Sequence, residues 1–129
     1  MTSSSIPTVP RGAPVFVFRG VDGPSAAALR SAHLAAHLEF VEENFTRFAL
    51  AGPILDTNGA MIGSLLIVHA ESLEGAWTLI RGEPYVMAGV YAVLEADTVR
   101  LAAGTLMGGR IWDDAFKAGL KAVSPGTTT

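Results

Sequence analysis

The stretch that most constrains the fold runs from Leu29 to Pro53, LRSAHLAAHLEFVEENFTRFALAGP. At about 100° per residue, Leu34, Leu38, Val41 and Phe45 fall on one stripe of a helix, with Ala27 below them. The spacing predicts an amphipathic helix whose stripe faces a core. It then predicts a strand that Gly52-Pro53 ends. Glu39 and Glu43 lie on the opposite side, toward solvent. Arg30, His33 and His37 occupy the flank between that stripe and a weaker one of Leu29, Ala36 and Phe40. Ionisable groups between two apolar stripes belong at a wet seam or in a pocket, so the question of function starts on this flank.

The rest of the chain supplies partners for that helix. Pro14 to Val21 (PVFVFRGV) reads as a strand, with Val15 and Val17 on one face and Phe16 and Phe18 on the other. Asp22-Gly23-Pro24 turns the chain, and Pro24 suits the first helical position. Thr46 to Ala51 is a second strand, and Asp56 to Gly59 (DTNG) is turn material for a hairpin. The third strand, Ile62 to Ala70, is almost continuously apolar, which suits a central place. Ser72 is placed to cap a second helix whose inner stripe is Leu73, Ala76 and Ile80, and Gly82 stops it. Glu83-Pro84-Tyr85-Val86 starts a short turn or helix, and Gly89 precedes a last strand from Tyr91 to about Leu101. Strand, helix, strand, strand, helix, strand is the split βαβ order of an α+β, ferredoxin-like βαββαβ domain with an antiparallel sheet. Both helices of that arrangement lie on one sheet face. The apolar residues on the other strand face therefore call for a second copy packed sheet to sheet, a homodimer.

The domain expected from this order covers residues 14–103. Residues 1–13 read as a flexible Ser/Thr/Pro-rich leader. Residues 104–129 read as an extension with a short helix, whose Trp112, Phe116 and Leu120 share a side, and a disordered end. A chain of 129 residues, half of them apolar, has enough material for one core. The charged share is 16% and the formal net charge is -3, with no run of Lys or Arg. That balance excludes a nucleic-acid backbone as partner, which needs a basic stripe. The absence of cysteine suits a reducing compartment. The N-terminal segment lacks the apolar core of a secretory signal, and no apolar run reaches the ~20 residues of a membrane span. The expectation is a cytoplasmic protein that contacts no membrane.

Arg30-x-x-His33-Leu34, Ala51-Gly52-Pro53, Gly63-Ser64, Glu83-Pro84-Tyr85 and Ala88-Gly89-Val90, in that order, resemble the YCII-related (YciI-like) proteins. The resemblance covers roughly residues 14 to 101. It implies a dimeric α/β-barrel assembly of ferredoxin-like domains and a small-molecule pocket. It also implies an acid-base pair made by the histidine of Arg-x-x-His-Leu and an aspartate before Pro-Tyr or Pro-Phe. The matching positions are His33 and Glu83. Glu83 departs from the pattern by one methylene, which keeps the carboxylate but changes its reach.

Each candidate also has a plain structural reading. His33 with Glu83 suits general acid-base work, because imidazole titrates near neutrality and a carboxylate behind it fixes the tautomer. The same two groups could simply tie two elements together. Ser64 and Tyr85 are candidate pocket hydroxyls, with Gly52 and Pro53 beside them as further substrate-binding positions. Arg30 could hold a substrate carboxylate or pair with Glu83. His33 and His37 are four apart and could form half a metal site. Leu34, however, stands where a zincin helix carries its glutamate, so no metal is expected. His37 is expected at a subunit or tail contact, and His69 at the end of the central strand. The function expected is proton transfer on a small organic acid, aromatic or lactone-like substrate, by a lyase or isomerase without a cofactor. A non-enzymatic small-molecule-binding module and a cofactor-independent oxygenase are the alternatives.

Overall fold

The computed structural model describes residues 13–107, 109–110, 115 and 118. The chain forms two units, and the larger, Pro14–Val99, carries all of the chemistry considered below. Its elements follow the order β1 (Pro14–Asp22), α1 (Ala26–Ala32), α2 (Leu34–Glu43), β2 (Phe48–Leu55), β3 (Met61–Val68), α3 (Leu73–Arg81), α4 (Pro84–Ala88) and β4 (Tyr91–Arg100). The sheet order β2-β3-β1-β4 is that of an antiparallel ferredoxin-like fold. β3 is central as its apolar run predicts, pairing antiparallel with β1 on one side and β2 on the other.

Three local differences from the sequence expectation position the site. The long helix is two helices, because His33 leaves the helical region (φ -112°, ψ 15°) and closes α1 while opening α2. Re-aimed at this point, α1 sends Ala26 and Leu29 against Tyr85 and Val90, and α2 sends Phe40 against the main core. β2 does not stop at Gly52-Pro53 but runs through it to Leu55, with Gly52 opposite Leu65 and Pro53 opposite Ser64. An edge strand tolerates this, since a proline there need not donate to a ladder. The third difference concerns the stripe of Leu34, Leu38, Val41 and Phe45, whose members do not enter the core. Leu34, Leu38 and Phe45 are 48%, 56% and 54% exposed.

The main core lies between α3 and the sheet. Phe16 and Phe18 of β1 and Leu66 and Val68 of β3 pack against Ala76, Leu79 and Ile80. Leu79 thus takes the place expected of Leu73, which is exposed. Trp77 meets Phe18 edge to face at 4.9 Å. Ser72 caps α3 by accepting from the Gly75 N–H. The β2–β3 turn is held by Asp56 Oδ1, which accepts from the N–H groups of Asn58 and Ala60. No described helix is long and apolar enough to cross a membrane.

The second unit contains Ala13 and the described residues from Arg100 onward. Leu101 N–H donates to Ala13 O, and β5 (Ala103–Gly104) pairs with β6 (Gly109–Arg110). Of the helix expected around Trp112, Phe116 and Leu120, Ala115 and Ala118 are described and helical, and those three residues themselves lie outside the described residues.

Candidate active site

A cleft of about 330 Å³ separates α1 and α2 from the edge of the sheet. Arg30, Leu34, His37, Leu38 and Val41 form its helical wall. Ala51, Gly52 and Pro53 of β2, with Met61, Ser64 and Leu66 of β3, form the opposite wall, and Tyr85 of α4 closes one side. The exposure of Leu34 and Leu38 now has a cause. Their stripe faces the sheet as an amphipathic helix should, but across a gap. A second hollow of about 520 Å³ lies beside the first, and Arg30 and Met61 border both.

Two polar arrangements stand in this apolar setting. The first joins α2 to α4. His37 Nδ1 lies 2.7 Å from Glu83 Oε2, and its ring stacks on Tyr85 with centroids 3.9 Å apart and planes 5° from parallel. Glu83 is wholly buried. Its carboxylate also accepts from the Tyr85 N–H at 3.2 Å, capping α4. Gly89 ends that short helix at φ 83°, where a glycine is the natural choice. With Nδ1 donating to the carboxylate, His37 Nε2 has no hydrogen-bond partner among the described residues and is available as a proton acceptor on a residue that borders the cleft.

The second arrangement surrounds Arg30. Its Nε and Nη2 donate to the two carboxylate oxygens of Asp22 at 3.2 and 2.9 Å. Nη2 also donates to Gly63 O at 3.1 Å and Ser64 Oγ at 3.0 Å. Tyr91 Oη donates to the same Ser64 oxygen at 2.8 Å, and Tyr85 Oη donates to Arg30 O. The guanidinium carbon lies 5.4 Å from the Tyr85 ring centre and 5.8 Å from that of Tyr91. Burial opposes the Arg30 charge, but the Asp22 hydrogen bond and the charge interactions with Tyr91, Asp22 and Tyr85 outweigh it, and its pKa rises. Burial also pushes both phenols above the ordinary 10.0, so each is a neutral donor at physiological pH. Gly20 makes room for Tyr91, since a Cβ there would lie 2.7 Å from its ring.

The YCII-related domain model matches residues 15–97, most of the larger unit. The chain belongs to the YCII-related family. No curated protein matches the chain. Among solved structures it is similar to 5-chloro-2-hydroxyhydroquinone dehydrochlorinase (TftG) of Burkholderia phenoliruptrix AC1100, in complex with 2,5-dihydroxybenzoquinone. Identity is 27%, coverage is 70% of this chain and 95% of that one, and the TM-score is 0.61. Atu4242 of Agrobacterium tumefaciens is 12% identical, over 70% of this chain and 94% of that one, with a TM-score of 0.45.

Within this YCII-related domain, five residues singled out in the sequence, Arg30, Gly52, Pro53, Ser64 and Tyr85, border one cleft. The expected pairing of His33 with Glu83 is corrected. His37 holds Glu83 instead, and His33 sits at the α1–α2 junction, outside the lining. His37 therefore borders the candidate cleft. Of the two roles open to Arg30, the pairing with Glu83 does not form, because Asp22 occupies the guanidinium. Sequence reasoning missed Asp22, read as a turn residue, and Tyr91, read only as the start of a strand. Among the described residues no three of His, Asp and Glu converge in a way that could hold a metal ion.

Proposed function

We propose that this YCII-related protein is a small-molecule enzyme of the lyase or isomerase type. It moves a proton on a flat, oxygen-substituted ring such as a hydroxyhydroquinone or hydroxyquinone. The observation that carries the reading is His37, fixed by the buried Glu83 and bordering an apolar cleft. The imidazole takes a proton at Nε2 from a substrate hydroxyl or activated carbon, and Glu83 stabilises the imidazolium that forms. His37 then returns the proton at another position. Where the carbon that receives the proton bears a leaving group such as chloride, it becomes tetrahedral, and loss of a second hydroxyl proton then supplies the electron pair that expels chloride, so loss of HCl needs no external oxidant. Glu83 is a positioning residue, because it acts only through His37. The likeness to a dehydrochlorinase of a chlorinated hydroxyhydroquinone supports this substrate class. The apolar walls from Leu34, Leu38 and Val41 on one side and Pro53 and Leu66 on the other suit the faces of a ring.

The working unit proposed is a homodimer in which the exposed sheet face packs on a second copy. The test of function is incubation with a panel of 2-hydroxyhydroquinones, with and without a ring halogen, in deuterated water. The expected result is catalysed incorporation of deuterium at a ring carbon, with halide release from the halogenated members. Saturable binding without exchange or release would make the protein a binding module.

A further inference from the structure

When His37 takes its proton, the substrate becomes an anion whose charge must rest on oxygen. Arg30 is committed to Asp22, so its charge is already balanced. The group that remains is Ser64. A hydroxyl has two lone pairs and one hydrogen. Arg30 Nη2 can only donate, so it fills one lone pair of Ser64 Oγ, and the Tyr91 phenol fills the other. Ser64 and Tyr91 share one hydrogen bond between two hydroxyls, and with the phenol donating, the Ser64 hydrogen has no acceptor of its own among the described residues. The residue is 6% exposed, yet it borders the cleft across from His37. A hydroxyl that accepts from a cation and from a phenol is polarised into a stronger donor.

We propose that Ser64 is the oxyanion donor of this cleft. Its hydroxyl hydrogen binds the substrate oxygen that carries the charge in the enolate or phenolate form. This rests on the proton-transfer reading above and narrows its substrate class to rings whose deprotonated form carries its charge on a ring oxygen. The step balances without an electron acceptor. The proton passes from substrate O–H or C–H to His37 Nε2, the electron pair stays on the substrate, and the charge settles on the oxygen at Ser64. Arg30 and Tyr91 are positioning residues, since each acts through the Ser64 oxygen. Burial holds Tyr91 protonated, which keeps it a donor in this network.

The test compares 2,5-dihydroxybenzoquinone, which ionises, with 2,5-dimethoxybenzoquinone, which cannot. Wild-type protein is expected to bind the ionised quinone more tightly and to lower the apparent pKa of the bound dye, read from its visible spectrum. Ser64→Ala is expected to weaken binding of the ionised quinone by about tenfold, since hydrogen bonds to charged groups are the strong ones. Binding of the dimethoxy compound should stay level. Ser64→Thr should restore the preference, while Ser64→Cys, close in size but a weak donor, should not. If Ser64→Ala does not fold, the Thr and Cys pair decides. Wild-type preference for the ionised quinone that survives in Ser64→Ala or Ser64→Cys overturns the assignment of Ser64 alone. Failure of the wild type to bind either quinone overturns the proton-transfer reading and this inference with it.

Discussion

Glu83 is the residue on which the site turns. A wholly buried carboxylate persists only where donors replace water, and here the donors are His37 and the Tyr85 N–H. Glu83→Ala removes a helix cap and leaves His37 without its partner, so an unfolding midpoint in urea should report a loss of about 1–3 kcal/mol. Glu83→Gln keeps an acceptor for the Tyr85 N–H and should cost less. Equal losses from the two changes would show that the cap is not what holds α4. The phenols give a second prediction. Their folded-state pKa values lie above the unfolded one, so they add stability that is complete below the ordinary 10.0 and is lost as pH rises through the raised values. Tyrosinate absorbance should therefore appear at higher pH in the folded protein than in urea, for both tyrosines. Coincident curves would contradict the burial of Tyr85 and Tyr91. Glu83 could be singled out because a carboxylate before Pro-Tyr is a local pattern. Its partner is a matter of helical phase. Taking Arg30 as zero at about 100° per residue, the cleft residues Leu34, His37, Leu38 and Val41 span roughly -20° to 80°, and His33 falls near -60°. The phase was legible, but it points to His37 only once the cleft is known to lie over that arc.

At the scale of elements, the amphipathic pattern of α2 was legible while its meaning was not. A stripe of Leu34, Leu38 and Val41 reads the same whether it touches the sheet or faces it across a gap, because periodicity reports direction and not distance. The edge position of β2 was equally hidden. Pro53 marks either a strand end or an edge strand, and only the sheet order decides between them. The difference between core and cleft wall is measurable. Leu38→Ala should change stability by no more than about 0.5 kcal/mol, whereas Phe18→Ala, at 0% exposure, should cost about 3–5 kcal/mol. Leu38→Ala should instead weaken binding of a quinone probe several-fold, as the ligand loses apolar contact. A large stability loss with unchanged binding would place Leu38 in the core after all.

At the scale of the whole molecule, the sheet face away from the helices holds Val17, Leu50, Leu65, Ile67 and Val93. The ladder places Val17 and Leu50 opposite Ile67, and Val93 alternates with the core-facing Leu94. Leu50 and Val93 are both 46% exposed. A contiguous apolar patch of this kind favours association. The homodimer proposed here predicts twice the mass of one chain by light scattering at micromolar concentration, and Ile67→Arg should halve it. A wild-type monomer would contradict the assembly without touching the chemistry of the cleft.

In the proposed mechanism His37, not His33, moves the proton. Asn at position 37 retains an amide N–H that can donate to Glu83 but has no titratable nitrogen, so it tests the chemistry with little change in packing. The measurement is the rate of solvent-deuterium incorporation into a 2-hydroxyhydroquinone by wild type, His37→Asn and His33→Asn. General acid-base catalysis contributes roughly 10²–10⁴ in rate, so His37→Asn should lose at least about 100-fold while His33→Asn stays within about threefold of wild type. Retained exchange in His37→Asn, together with its loss in His33→Asn, would contradict the account.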